Sequence, residues 1–332
     1  MIESSAPYRA LVCGSNYGRV YLEALAGQER VRPVGLLASG SERSRALAGK
    51  HGLPLYRSAS ELPAGIDLAL AALPSSANDV VLELLERGVP VLCEHPRSPT
   101  FVQQAFEIAK HVGVAFQING HFGDLPAARS FAEVFRKQVS VSPPRFLQVT
   151  GQERSLYAVL DVLDRAWGGL EALKLREASV DNEREPRSSS STAWAHLAGT
   201  LGEVPIDLRI QVPPVSPPDG SPSYWVDLQL AVGFDTGVLS LLSLAGPVVW
   251  NRNLARSAAE DRALWELVGG SSQGIQGPSP SELRRAREEA NRAAVGRLVQ
   301  VLEGADPEPV VTRHRLLALA RAWELVGSRL RS

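Results

Sequence analysis

From Tyr8 to Ile118 the chain alternates two hydrophobic periods. Short, nearly continuous apolar blocks stand at Ala10–Cys13, Val34–Ala38, Ile66–Leu73, Val89–Cys93 and Val114–Ile118. They are too brief for helices and lack the in–out alternation of a half-exposed strand, so they predict strands buried on both faces. Between the blocks, apolar positions recur three and four apart. Tyr17, Val20, Tyr21, Ala24 and Leu25 mark the first such stretch, followed by Ala46–His51, Asn78–Arg87 and Phe101–His111, and each reads as a helix. Ser76 is placed to cap the third of these helices and Gly88 to end it. Strand and helix in alternation predict a doubly wound parallel sheet, an α/β domain over residues 1–121.

In such sheets ligands collect beyond the carboxyl ends of the strands. The first of these ends is Gly14-Ser15-Asn16-Tyr17-Gly18, a glycine turn between strand and helix. A helix N-terminus offers unpaired N–H groups and the positive end of the helix dipole, and glycine allows close backbone approach, so the turn predicts a pyrophosphate site. It is one residue shorter than the usual G-x-G-x-x-G spacing and carries two glycines rather than three. The second strand end carries Ser39 and Ser41 with Arg43 and Arg45 behind them, where NAD-binding sheets carry an acid for the ribose hydroxyl. Hydroxyls and guanidinium forks suit a 2′-phosphate, which predicts NADPH as cofactor. The remaining strand ends carry Pro74, Glu94-His95-Pro96 and Asn119-Gly120-His121, and with the first two they form one candidate site.

Residues 122–332 follow a different pattern. Phe146–Gln152, Glu171–Val180, Ile206–Val212, Trp225–Phe234 and Gly237–Leu244 read as strands, several with alternating apolar and polar positions, as at Val226, Leu228, Leu230 and Val232. That period predicts a mostly antiparallel sheet in a second, α+β domain. Asp235-Thr236-Gly237 is a hairpin signal. Helices are expected at Gln152–Trp167, Glu282–Leu302 and Arg313–Leu330. Three stretches rich in Ser, Pro and Gly (Glu183–Ser191, Pro213–Ser223 and Gly269–Ser281) read as loops. The third is long enough for a lid or a docking loop, and an ordinary surface loop accounts for it equally well.

Composition narrows the class. A chain of 332 residues with 44% hydrophobic and 21% charged residues has enough apolar surface for two cores. A formal net charge of −1 gives no global field for nucleic acid or an anionic membrane. The only cysteines, Cys13 and Cys93, lie in apolar strand blocks, which points to a reducing compartment and away from structural zinc. With no apolar run near the roughly 20 residues a bilayer requires and no signal-peptide layout, a cytoplasmic protein is expected. Asp161 and Asp164 stand three apart with no histidine at ligand spacing, and no metal site is expected.

The glycine turn, the proline after residue 73, Glu94-His95-Pro96 and a sixth strand before the second domain together resemble the glucose–fructose oxidoreductase and inositol dehydrogenase superfamily. Members usually carry Glu-Lys-Pro at the third of these places. The histidine, with Gly14–Gly18 followed by Tyr21-Leu22, Leu36–Ala48 with Gly52–Tyr56, Leu125–Arg129 and Gly246–Trp250, resembles the thiazolinyl imine reductases of siderophore biosynthesis. The resemblance implies reduction of a thiazoline C=N bond to a thiazolidine by NADPH, on a chain held by a carrier domain of a nonribosomal peptide synthetase. It also implies a homodimer. At the position of Phe122 that family carries a tyrosine, a candidate proton donor; phenylalanine leaves the role empty or moves it.

Hydride addition to an imine carbon leaves negative charge on nitrogen, and the step gains from a donor aimed there. His95 is the first candidate, because an unperturbed histidine titrates at about 6.5. His121, beside Phe122, and Tyr157, with Asp161 four residues on along the same helix face, are the alternatives. Glu94 reads as a cofactor contact. Arg284, Arg285 and Arg287 read as a solvated helix face. Two other functions fit the same strings: an NAD-dependent sugar or polyol dehydrogenase, and a non-catalytic NADP-binding accessory protein.

Overall fold

The computed structural model describes residues 6–181, 193–212, 227–252 and 278–331. The expected loops at 183–191 and 213–223, the third loop up to residue 277, and the expected strand start at Trp225 lie outside them. The chain divides into two compact units, Met1–His121 with Arg284–Arg321, and Phe122–Leu283 with Ala322–Ser332.

The first unit is built on a six-stranded parallel sheet of β1 (Tyr8–Cys13), β2 (Val31–Leu37), β3 (Leu55–Tyr56), β4 (Leu68–Ala71), β5 (Val91–Glu94) and β6 (Phe116–Asn119). Its order is β3-β2-β1-β4-β5-β6, every pairing parallel. Strands β4, β5 and β6 are buried along their whole length, the condition their unbroken apolar sequences predicted. Helices α1 (Gly18–Leu25), α2 (Glu42–His51), α3 (Asn78–Glu86) and α4 (Pro99–Val112) make the crossovers. Ser98 caps α4 by accepting from Phe101 N. At α3 the expected Ser76 cap is absent: Ser75–Ala77 form a 3-10 turn and Ala77 takes the cap position with no side-chain bond.

Residues 284–321, placed by sequence in the second domain, belong with this sheet. On helix α7 (Pro280–Leu302), Ala294, Val295, Leu298 and Val299 form a stripe at helical spacing. They share one core with Ala10, Val12, Leu36, Leu68, Leu70 and Leu92 of the strands. A parallel sheet needs apolar cover on both faces, and a distant segment supplies part of it here.

The second unit holds a seven-stranded sheet: β7 (Phe146–Gln152), β8 (Leu173–Asp181), β9 (Ala193–Leu201), β10 (Val204–Val212), β11 (Leu228–Phe234), β12 (Gly237–Leu241) and β13 (Val248–Arg252). The order is β13-β12-β11-β7-β10-β9-β8, antiparallel except where β10 meets β7. Phe234 pairs with Gly237 at the expected hairpin. Helices α5 (Pro126–Val139) and α6 (Leu156–Trp167) complete its core. Helix α6 starts later than expected, because Gln152 closes β7 and Glu153–Ser155 make a 3-10 turn first. The last helix, α8, spans Arg313–Arg331.

Candidate active site at the strand ends of the first unit

The glycine turn is tied on both sides. Gly14 N donates to Leu37 O at 2.8 Å, and Ala72 N donates to Cys13 O at 2.8 Å. Gly14 has φ +92°, and a Cβ there would stand 2.3 Å from Ala72 O. Only glycine fits, because the turn passes directly against the backbone at Ala72. A Cβ on Gly18 would meet Val12 Cγ1 at 3.0 Å, so the second glycine lets α1 start close to β1. Ser15 is half-buried and Asn16 is exposed. Tyr17 holds the N-cap position of α1 and makes no side-chain cap.

At the second strand end α2 begins at Glu42, earlier than the expected Ala46, which puts Arg43 in its first turn. A cation there opposes the helix dipole, so the position favours an arriving anion. Arg43 Nε donates to Ser15 Oγ at 3.4 Å, joining this tip to the glycine turn. Ser41 serves α2 as its N-cap, accepting from Ser44 N at 3.3 Å, while Ser39 is exposed beside Gly40. Arg57 joins the same tip. Its Nε lies 2.8 Å from the point where a Gly40 Cβ would stand, and Gly40 has φ +77°. No local sequence pattern marked Arg57.

The centre of the site is a buried polar cluster from β5, β6, α1 and α7. Glu94, 8% exposed, receives the Tyr21 hydroxyl on Oε2 at 2.8 Å, and Oε1 lies 2.9 Å from His95 Nδ1. His95 Nδ1 also lies 2.8 Å from Asn119 O. A carbonyl oxygen only accepts, so Nδ1 carries a proton. In the neutral ring Nε2 is then the acceptor, and in the imidazolium it is the donor. Asn119 Nδ2 lies 2.7 Å from the Tyr21 hydroxyl and 2.8 Å from Asn291 Oδ1 on α7. His121, fully buried, places Nε2 3.1 Å from the Tyr17 hydroxyl, and its ring centroid is 5.4 Å from that of His95.

Burial by itself would raise the Glu94 carboxyl. The charge and hydrogen bond of His95, the charge of His121 and the Tyr21 hydroxyl outweigh it and hold Glu94 below its ordinary value. Tyr17 and Tyr21 move the other way. Burial first and the Glu94 charge second push both phenols well up, so both stay protonated. Burial, countered in part by Arg97, pushes the Cys93 thiol up to about 11, which makes it a poor nucleophile. Glu94, His95 and His121 each bring one donor atom within 4.8 Å of the others. That carboxylate–imidazole group, unlike Asp161 and Asp164, is spaced to share either protons or a cation.

Arg97 fixes the loops that carry these groups. Buried at 2% exposure, it donates from Nε to Glu94 O at 2.9 Å, from one terminal nitrogen to Leu73 O at 2.6 Å and from the other to Asn78 Oδ1 at 2.8 Å. It therefore pins the turn before Pro74, itself exposed, to the turn that carries His95. Tyr157 belongs to the second unit, buried on α6. Its expected helper is committed to other groups as well: Asp161 Oδ2 accepts from Gly123 N at 2.8 Å, and Oδ1 lies 3.5 Å from Arg165 Nε. Phe122 is half-buried in the same unit.

Residues 8–120 match the oxidoreductase family with an NAD-binding Rossmann fold. No curated protein matches the chain by sequence. Among solved structures it is similar to GenD2 from gentamicin A biosynthesis, in complex with NAD (TM-score 0.69, 15% identity, 97% of this chain and 93% of that one). It is similar to the WlbA dehydrogenase from Bordetella pertussis, in complex with NADH and UDP-GlcNAcA (TM-score 0.69, 13% identity, 99% and 96%). KijD10, a 3-ketoreductase from Actinomadura kijaniata in complex with NADP, gives TM-score 0.67 at 17% identity over 97% of each chain. At such identities the likeness establishes the fold. The family match adds that residues 8–120 resemble an NAD-binding Rossmann domain. No helix among the described residues is long and apolar enough to cross a membrane.

Proposed function

We propose that this protein uses NADPH to reduce a thiazoline C=N bond to a thiazolidine on a carrier-bound nonribosomal peptide chain, with His95 as proton donor. The observation that carries the reading is the clamp on His95. Its Nδ1–H bonds to Asn119 O with a Glu94 carboxylate oxygen 2.9 Å from the same nitrogen, so the ring is oriented and Nε2 is its working nitrogen. Protonated on both nitrogens, the ring would donate from Nε2. That is the acid form, which imine reduction needs and alcohol oxidation does not.

Gly14, Ser15 and Gly18 would hold the diphosphate, with Ser39, Arg43 and Arg57 around the 2′-phosphate. The glycine turn that opens α1 and the arginine in the first turn of α2 fit those two groups. When bound, the reduced nicotinamide supplies the hydride. His95 Nε2–H gives a proton to the ring nitrogen, Asn119 O holds the imidazole through Nδ1 with the Glu94 carboxylate alongside, and Arg97 holds the loop that bears it.

The test is single-turnover reduction of a carrier-bound thiazoline with NADPH. His95→Ala is expected to lower the rate by about 10²–10⁴-fold while NADPH affinity changes little. An unchanged rate removes His95 from the reaction. Phe122, which offers no proton, supports a second reading as a non-catalytic NADP-binding protein. The wild type would then bind NADPH without oxidising it. Turnover of polyols with NAD in a parallel assay would favour the dehydrogenase instead.

A further inference from the structure

Arg285 and Arg292 on α7 have carboxylates beside them on their own helix, Glu289 and Glu288, each at 3.8 Å. Arg287 does not. Four residues on stands Asn291 and four before stands Leu283, and among the described residues no carboxylate pairs with Arg287. The side chain is exposed, yet its guanidinium and the Asn291 amide both lie against the Tyr17 hydroxyl. It is therefore no part of a merely solvated face.

The backbone beneath this arginine is held firmly. Asn291 Nδ2 donates to Arg287 O at 2.8 Å, and Asn119 Nδ2 donates to Asn291 Oδ1 at 2.8 Å. Arg292 Nε donates to Ala24 O at 2.8 Å, fastening α7 to α1. The residue that Arg287 reaches is the N-cap of α1, which has no side-chain cap of its own. A guanidinium with no carboxylate beside it among the described residues thus lies against the residue that opens α1, at the positive end of that helix and next in sequence to the glycine turn, a combination that calls for an oxyanion.

We propose that Arg287 closes over the diphosphate of the bound dinucleotide, so that the site is completed by a segment far outside the matched residues 8–120. This rests on the dinucleotide-binding part of the reading above and not on the thiazoline. A diphosphate is common to NADH and NADPH, so Arg287 strengthens both equally, whereas Arg43 acts on the 2′-phosphate alone.

Fluorescence titration of the full-length protein with NADPH and NADH tests this directly. Arg287→Gln is expected to weaken both by the same factor, about tenfold, as loss of one charge-assisted contact does. Arg287→Lys recovers part of the loss. ADP weakens in parallel and adenosine does not. Equal dissociation constants in wild type and R287Q overturn the proposal. So does an effect confined to the substrate KM, which gives the cation to the substrate, and so does a loss that extends to adenosine. If the thiazoline assay fails while the two dinucleotides still weaken together, the proposed reaction falls and this role stands.

Discussion

Two buried charge clusters, one in each unit, are built from different materials. In the second unit, Arg165 lies 2.8 Å from Asp124 and 3.5 Å from Asp161, all three with side chains no more than 13% exposed. Burial would lower the Arg165 guanidinium, and Asp161 and Asp124 together raise it further from neutrality. A Cβ on Gly123 would stand 2.2 Å from Arg165 Cδ, so backbone and ion network are fitted to each other. Arginine does not deprotonate, so this cluster has one charge state at any working pH. In the first unit, Glu94 meets two imidazoles and two phenols at the ends of strands, a set built from acid–base side chains rather than from a permanent cation. A closed network of permanent charges holds a loop. An open network of titratable groups at the carboxyl edge of a parallel sheet can do chemistry.

The largest test of that contrast is Arg165→Leu. Removing the cation leaves two buried carboxylates uncompensated, and a denaturant midpoint is expected to register a loss of about 3–5 kcal/mol. Dinucleotide affinity, measured where the variant is still folded, is expected to stay within twofold. Arg43→Ala comes next, with no loss of fold and NADPH affinity down about 10–100-fold while NADH is unaffected. Equal weakening of both dinucleotides would remove the 2′-phosphate contact. The smallest effect is on acid stability. Glu94 is held below its ordinary 4.5 in the folded state, so its contribution is present above that pH and is lost as pH falls through the lowered value. Melting curves of wild type and Glu94→Gln are therefore expected to draw together below about pH 4.5; a gap that widens there contradicts the assignment.

The first sheet could be read residue by residue because double burial leaves an unbroken apolar run at each strand. The two-residue edge strand β3 had no such run to mark it, and elsewhere only the edges moved, as where Val34–Ala38 became Val31–Leu37. In the second unit Phe146–Gln152 coincides with its expected bounds, yet β9, β13 and α5 went unassigned. Ala-Trp-Ala-His-Leu-Ala-Gly-Thr-Leu has no clean period of its own. It becomes a strand because β8 and β10 lie antiparallel on its two sides. The site divides in the same way. Gly14, Ser15, Tyr17, Arg43, Glu94, His95 and His121 sit at strand ends where topology alone directs attention, and the bonds that join them within the first unit are now seen. Arg57, Arg97, Arg287 and Asn291 act through contacts distant along the chain, such as Asn119 to Asn291 across 172 residues, and no window of local pattern contains both partners.

The return of α7 to the first sheet has a consequence during biosynthesis. Ala294, Val295, Leu298 and Val299 join a core whose other members precede residue 93, and the whole second sheet is translated in between. At ribosomal rates of about 5–20 residues per second, the nascent dinucleotide fold waits on the order of ten seconds for its missing cover. Its apolar stripe is open to chaperones for that interval, and a gene fragment that stops at His121 keeps it open for good.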